Sequence, residues 1–160
     1  MEIIAVYPGS FDPITLGHLD IVERSKGLFS KVIVAVLQNP QKEALFSLEE
    51  RLEMTKEVCR IYPEVEVQSF AGLLVDFAEQ LGARGIIRGL RAPTDFEYEL
   101  QMALMNRRLN EQVETLFMVP RETHTFVSSS LVKEIASLGG SVQGLVPPLV
   151  EKRLREKLAS

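Results

Sequence analysis

"IIAVYPGSFDPITLGH", residues 3–18, opens as an apolar run of strand length and then breaks into prolines at 8 and 13 and glycines at 9 and 17. A strand that is apolar at successive positions is buried on both faces, which places residues 3–7 near the centre of a parallel sheet. The break that follows is the loop leaving that strand. Proline fixes its backbone without needing a donor, and glycine admits conformations and close approaches that a side chain would block. In an open parallel α/β sheet, ligands bind outside the carboxyl ends of the strands, where the strand order reverses, so residues 8–18 are the predicted site loop. Gly17 falls at the start of the first helix, where free amides and the helix dipole favour an anion, and His18 follows on the same turn.

The rest of the chain alternates in the same way. Strand-length runs stand at "KVIVAVL" (31–37), "EVEVQSF" (64–70), "RGIIRG" (84–89) and "ETLFMV" (114–119). Helix-length segments separate them. "LGHLDIVERSKGLF" (16–29) puts Ile21, Val22, Leu28 and Phe29 on one face, and "SLEERLEMTKEVCRIY" (47–62) opens with Ser47 and Glu50 spaced as a capping box. "GLLVDFAEQLG" (72–82) has Leu74, Phe77, Ala78 and Leu81 at helical spacing and Gly82 as its C-cap. "PTDFEYELQMALMNRRLN" (93–110) begins with Pro93 in a first turn, and "SSSLVKEIASLGG" (128–140) begins with hydroxyls and ends in glycines. Such alternation requires right-handed crossovers. The predicted fold is α/β: one domain over 1–160, with a doubly wound, Rossmann-like sheet of five parallel strands and helices on both faces. Residues 3–7 and 31–37 belong at its centre, and the alternating 64–70 at an edge. "PPLVEKRLREKL" (147–158) spaces Val150, Leu154 and Leu158 as a docked terminal helix with a solvated basic face.

Composition narrows the class. With 160 residues, 46% hydrophobic and 25% charged, the chain is long enough to bury a core. A net charge of −4 and a pI near 5.3 lack the basic excess that duplex binding uses, so no nucleic-acid partner is expected. Cys59 is the only cysteine, which excludes a disulfide framework and a thiolate cage and reads as a buried thiol. "MEIIAVYPG" carries no basic leader, and no later run approaches a membrane span. The expectation is a cytoplasmic protein with no membrane partner.

Two common phosphate motifs are absent. No G-x-G-x-x-G follows the first strand and no G-x-x-x-x-G-K-[ST] occurs, which counts against a dinucleotide oxidoreductase and a P-loop ATPase. "GSFDPITLGH" (9–18) instead resembles the T-x-G-H signature of the nucleotidyltransferase superfamily, in Thr15, Gly17 and His18. Nicotinamide mononucleotide adenylyltransferases and cytidylyltransferases share that much. "RGLRAPTDFEYELQMALMNRRLN" (88–110) and "FVSSSLVKE" (126–134) resemble the two internal signatures of the bacterial phosphopantetheine adenylyltransferases, and "LFSLEER" (45–51) with Lys42 before it also fits. The resemblance spans essentially the whole chain. It departs at Ser10, where many relatives carry threonine, and at His124, where they usually carry an aromatic residue.

The resemblance implies a reaction in which the phosphate of 4′-phosphopantetheine attacks the α-phosphorus of ATP, giving dephospho-coenzyme A and pyrophosphate. A phosphomonoester has a second pKa near ~6, so the nucleophile is mostly a dianion at neutral pH and needs no general base. That agrees with a chain holding two histidines and no evident nucleophile–base triad in its motifs. In-line positioning and charge stabilisation are what the reaction requires. By the same resemblance His18, Lys42 and Arg91 are catalytic: His18 donates to the α-phosphate in the transition state, and Lys42 and Arg91 contact phosphates. Ser10, Lys42, Leu74 and Arg88 would bind the acceptor, Arg88 holding its phosphate and Leu74, with Leu73, Met102, Met105 and Asn106, bordering the pantetheine arm. ATP would contact Ser10, Phe11, His18, Gly89, Leu90, Arg91, Glu99, His124, Thr125, Phe126, Val127, Ser128, Ser129 and Ser130. Guanidinium forks suit phosphate geometry, and three serines in a row exceed what one N-cap needs.

Magnesium (Mg2+) is expected as cofactor because ATP and the departing pyrophosphate carry concentrated charge. No carboxylate cluster marks a dedicated cage; Asp12 is the nearest candidate and fits a loop cap equally well. The family further implies a homohexamer restrained by coenzyme A as feedback inhibitor. Two other readings stand beside this one. The T-x-G-H core reads the nucleotide and not the acceptor, so another phosphorylated acceptor is open. A noncatalytic nucleotide-sensing or scaffold module on the same fold is the second.

Overall fold

The computed structural model describes residues 1–41 and 43–159. Strands β1 (Ile4–Gly9), β2 (Lys31–Leu37), β3 (Val65–Phe70), β4 (Gly85–Gly89) and β5 (Glu114–Met118) form one all-parallel sheet in the order β3-β2-β1-β4-β5. The segment at 3–7 therefore sits at the centre, and 64–70 at an edge, as their apolar patterns require. The helices are α1 (Leu16–Ser25), α2 (Leu48–Cys59), α3 (Leu74–Gln80), α4 (Pro93–Leu109), α5 (Ser129–Ser137) and α6 (Pro148–Leu158). A 3-10 turn spans Glu122–His124.

Alternation along the inner strands explains why both faces are covered. Ala5, Tyr7, Val32, Val34 and Val36 point into a core completed by Ile21, Met54, Val132 and Leu154 from α1, α2, α5 and α6. Val6, Ile33 and Ala35 point the other way, against Val75 and Ala78 of α3. Each fully buried Val, Ile or Leu contributes about 1.5–3 kcal/mol, so these two layers dominate stability. Cys59 is buried in the first, and burial pushes its thiol up to about 12.

Local signals set the element ends. Ser47 accepts from the Glu50 amide while Glu50 accepts from the Ser47 amide, closing the predicted capping box. Gly82 follows α3 at φ +69°, a conformation that favours glycine. The first helix is shorter than its apolar pattern suggests. Ser25 donates its hydroxyl to the Ile21 carbonyl at 2.7 Å and Gly27 follows, so α1 ends at Ser25. Leu28, expected on the buried face, is consequently 64% exposed, while Phe29 still packs on the core. α6 docks through Val150 and Leu154, both wholly buried. Its basic face is not merely solvated: Lys157 pairs with Glu50 at 2.8 Å and Arg153 with Glu53 at 3.4 Å, tying α6 to α2.

Candidate active site

The strand order reverses at β1, and there the ladder opens. β1 pairs with β2 along its length, from Ile4↔Lys31 to Gly9↔Val36, but with β4 only at Ala5↔Gly85 and Val6↔Ile86. Beyond Val6 the two strands part, leaving a crevice at their carboxyl ends. Two cavities meet at that crevice. The first, of about 310 Å3, runs under the amino ends of α1 and α5 and is lined by Ser10, Phe11, His18, Gly89, Arg91, His124, Val127 and Ser128–Ser130, among others. The second, of about 470 Å3, lies toward α3 and α4 and is walled by Leu37, Phe70, Leu73, Leu74, Met102 and Asn106. Pro8, Gly9, Ser10, Arg88 and Glu99 line both cavities and form the wall between them.

His18 stands at the third position of α1 and completes an unusual capping box. Its amide donates to the Thr15 hydroxyl at 3.3 Å, and the Thr15 amide donates to its Nδ1 at 3.0 Å. A histidine here does what Glu or Gln does in the common version. An Nδ1 that accepts a backbone N–H cannot carry the ring proton, so Nε2 carries it and is a donor. Burial, with the Arg91 charge adding to it, lowers the imidazole from its ordinary 6.5 to about 4. At neutral pH the ring is therefore an uncharged Nε2–H donor.

Phe11 packs edge-on against His18, with ring centroids 4.8 Å apart, and against Tyr7 at 5.5 Å. It is 2% exposed and holds φ +48°, a left-handed conformation that costs a non-glycine residue about 1–3 kcal/mol. A Cβ on Gly9 would come within 3.1 Å of this ring, which is why glycine stands there. The peptide bond between Asp12 and Pro13 is cis.

Asp12 is a junction between loops. Its carboxylate accepts from the amides of Leu45 and Phe46, both at 2.9 Å, and from Lys133 of α5 at 2.9 Å. Burial alone would raise its pKa, but these bonds outweigh burial and hold it below the ordinary carboxylate value. Of its two sequence readings, the loop cap is the one the contacts describe.

Arg88, near the end of β4, makes a bidentate pair with Glu99 of α4: Nε to Oε2 at 2.8 Å and Nη2 to Oε1 at 2.7 Å. Nη1 lies 3.5 Å from the Pro8 carbonyl across the opened ladder. Glu99 thus occupies the Nε–Nη2 edge of the guanidinium, and the Nη1–Nη2 edge remains for another anion. Bonding to Glu99 raises the Arg88 pKa, so its charge is permanent. Arg91 donates to the Val127 carbonyl at 3.2 Å and lies 3.8 Å from Asp95. Ser128 caps α5 by accepting from the Leu131 amide, and Ser129 donates to the Pro13 carbonyl at 2.7 Å. The Ser130 hydroxyl is left exposed at the helix start.

Most predicted residues meet at these cavities, and some do not. Leu90, Thr125 and Phe126 line neither. The Leu90 amide donates to the Met118 carbonyl, the Thr125 hydroxyl donates to the Glu122 carbonyl, and Phe126 is 59% exposed. Leu74, Leu73, Met102 and Asn106 line the second cavity, but Met105 turns out to solvent at 52% exposure, because α4 shows that side of itself to water. Lys42 lies outside the described residues. Sequence reasoning passed over Tyr7, Ile21, Asp95 and Pro120, which also line the first cavity. For Tyr7 the signal was available: a polar-tipped aromatic ending an otherwise aliphatic central strand. Among the described residues no cluster of three His, Cys, Asp or Glu side chains could hold a metal ion.

Known proteins resemble this chain along nearly its whole length. The pattern of the Cytidylyltransferase-like family matches residues 6–135. A phosphopantetheine adenylyltransferase of Desulfosudis oleivorans is 56% identical over 155 residues, covering 97% of this chain and 92% of that one. The enzyme of the same name from Caldanaerobacter subterraneus subsp. tengcongensis is 54% identical, covering 96% of each chain. Among solved structures, one from Vibrio parahaemolyticus assigned as a nicotinate-nucleotide adenylyltransferase superposes with a TM-score of 0.69 at 16% identity, over 99% of this chain and 95% of that one. At that identity the likeness is one of fold.

Proposed function

The chain belongs to the Cytidylyltransferase-like family and, within it, to the phosphopantetheine adenylyltransferases, and from that premise we propose how its two joined cavities divide the reaction. The enzyme transfers the adenylyl group of ATP to 4′-phosphopantetheine, yielding dephospho-coenzyme A and pyrophosphate, a step of coenzyme A biosynthesis. The observation that carries the division of labour is the shared wall of Ser10 and Arg88. It joins a cavity under two helix amino ends, lined by His18, Arg91 and three serines, to one walled mainly by aliphatic, aromatic and methionine side chains.

In this reading ATP occupies the first cavity and the pantetheine arm the second, along Leu74. The acceptor phosphate sits at the wall, held by Ser10, the open edge of Arg88, and Lys42. One of its oxygens forms a bond to the α-phosphorus as the bond to the bridging oxygen of pyrophosphate breaks, with no covalent enzyme intermediate. The electron pair leaves on pyrophosphate. His18 donates Nε2–H to an α-phosphate oxygen, a contact that strengthens as charge accumulates there and that a neutral imidazole makes without giving up its proton. Arg91 and the Ser128–Ser130 turn take the departing phosphates. Gly89, Glu99, His124 and Val127 border the nucleotide, and the Phe11 ring steadies His18.

Magnesium fits as an ion brought by the nucleotide. The first cavity offers Asp95 and serine hydroxyls, enough to hold the water shell of an ion bound to phosphate oxygens, and it would neutralise the polyphosphate charge. Three further parts of the reading concern the whole molecule. Coenzyme A carries both halves of the product, so it would span both cavities and inhibit. The apolar outer side of α4, with Leu104, Met105 and Leu109 exposed, favours self-association into the family's hexamer. The third part is a cytoplasmic location; separately, among the described residues no helix is long and apolar enough to cross a membrane.

Pyrophosphate release from ATP and magnesium, with 4′-phosphopantetheine, nicotinamide mononucleotide and glycerol phosphate in parallel, tests the acceptor and the chemistry together. Release is expected with 4′-phosphopantetheine alone. Release with another acceptor overturns the assignment of the second cavity, and silence with all three overturns the transfer.

A further inference from the structure

Arg51 of α2 is 6% exposed and forms no ion pair among the described residues. Its guanidinium is spent on backbone instead. Nη1 donates to the Ser10 carbonyl at 2.8 Å and to the Leu37 carbonyl at 2.9 Å, and Nε donates to the Phe46 carbonyl at 3.2 Å. Burying a cation without a carboxylate is expensive, and strong carbonyl acceptors are what make it tolerable. Helix stability gives no reason for such an arrangement, since a methionine would fill the same space without the desolvation cost. The three carbonyls supply the reason. Leu37 ends β2 and Phe46 precedes the α2 cap, so one guanidinium holds both ends of the segment 38–45, which carries Lys42 in the sequence. Ser10 belongs to the neighbouring loop, and both Ser10 and Leu37 line the second cavity.

We propose that Arg51 is a positioning residue for the acceptor phosphate. Its planar fork locks the loop after β1 to the loop after β2, and its unpaired charge adds positive potential at the wall where the two cavities meet. Asp12 fastens the same pair of loops through the Leu45 and Phe46 amides, so the junction is pinned by one buried ion of each sign. This inference rests on the proposed reading of the wall between the two cavities as the seat of the acceptor phosphate.

The test is steady-state kinetics of Arg51→Lys and Ser10→Ala beside the wild type, with thermal midpoints recorded. Lysine keeps the charge but cannot reach three carbonyls in one plane. Arg51→Lys is expected to raise the KM for 4′-phosphopantetheine by about tenfold or more while the KM for ATP stays within about twofold. A folded Arg51→Lys enzyme with a wild-type acceptor KM, or with equal rises in both KM values, overturns the clamp, whatever its thermal midpoint. Ser10→Ala separates the two claims. An unchanged acceptor KM in Ser10→Ala beside a raised one in Arg51→Lys strikes the Ser10 contact alone and leaves the clamp standing. Should Arg51→Lys fail to fold, replacing Phe11 by phenyllactic acid turns the Ser10 carbonyl into an ester, a weaker acceptor, with every side chain in place. An acceptor-specific rise in KM of a fewfold supports the clamp, and an unchanged KM overturns it.

Discussion

The Thr15 amide donates to Nδ1 of His18 across 3.0 Å, and this one bond leaves Nε2 as the ring's donor. A ring held in that tautomer can donate from Nε2 at any pH at which it is neutral. A lowered pKa is what a donor to a developing oxyanion needs, because protonation would break the bond from Thr15 and turn the ring.

Replacing His18 by alanine should lower kcat by about 100- to 1,000-fold, the usual cost of one transition-state donor, with ATP affinity nearly unchanged. His18→Gln, which keeps an N–H donor, should retain more activity than His18→Ala. Titration of ATP binding beside turnover checks both; matched losses in affinity and rate would remove His18 from its transition-state role.

The same residue makes stability depend on pH with a definite sign. The unfolded chain takes up a proton at the ordinary imidazole value of 6.5, whereas the folded one resists until about 4. Across that window the unfolded state binds more protons, so folding stability should fall as pH is lowered from about 6.5 to 4, by on the order of 1–3 kcal/mol. In His18→Gln that part of the slope should vanish, as urea melts at a series of pH values would record.

Glu99→Gln sets two effects against each other. Coulomb's law alone predicts that losing a negative charge beside the phosphates tightens anion binding. Loss of the bidentate grip at 2.7 and 2.8 Å frees Arg88 to turn and predicts the opposite. We expect the grip to win, raising the KM for 4′-phosphopantetheine by roughly fivefold, since orientation of a fork contributes more than one screened charge. A lower KM would reverse that ranking.

Gly9→Ala should act through Phe11. The new Cβ would stand 3.1 and 3.2 Å from two atoms of that ring, which is wedged against His18 and can move only by displacing it. A loss in kcat/KM of roughly tenfold is expected, since small misplacements of reacting groups are costly. Wild-type kinetics in this variant would show that the ring does not steady the imidazole.

Asp12→Ala should lower stability by about 2–4 kcal/mol, because it strands Lys133 and two backbone amides in a buried junction. The Asp12 contribution is full above the ordinary carboxylate pKa and is lost as pH falls through the lower folded value. Chemical denaturation at neutral pH is the direct check.

Much of this was legible in the sequence because it is written locally. Strand–helix alternation, the Ser47–Glu50 box, the Gly82 stop and the centre position of 3–7 follow from periodicity and backbone preference within a few residues. So does the T-x-G-H start of α1, whose ring nitrogen and amide lie only three residues apart. Tertiary structure alone decided the rest. Asp12 and Lys133 are 121 positions apart, and nothing near either residue names its partner. Leu90, Thr125 and Phe126 left the cavities, and Met105 turned outward, because the path of a loop or the roll of a helix sets where each residue faces. Arg51 is the extreme case. Its partners are three carbonyl groups, which every residue possesses, so a clamp made to backbone has no signature in side chains and exists only once the loops have been brought together.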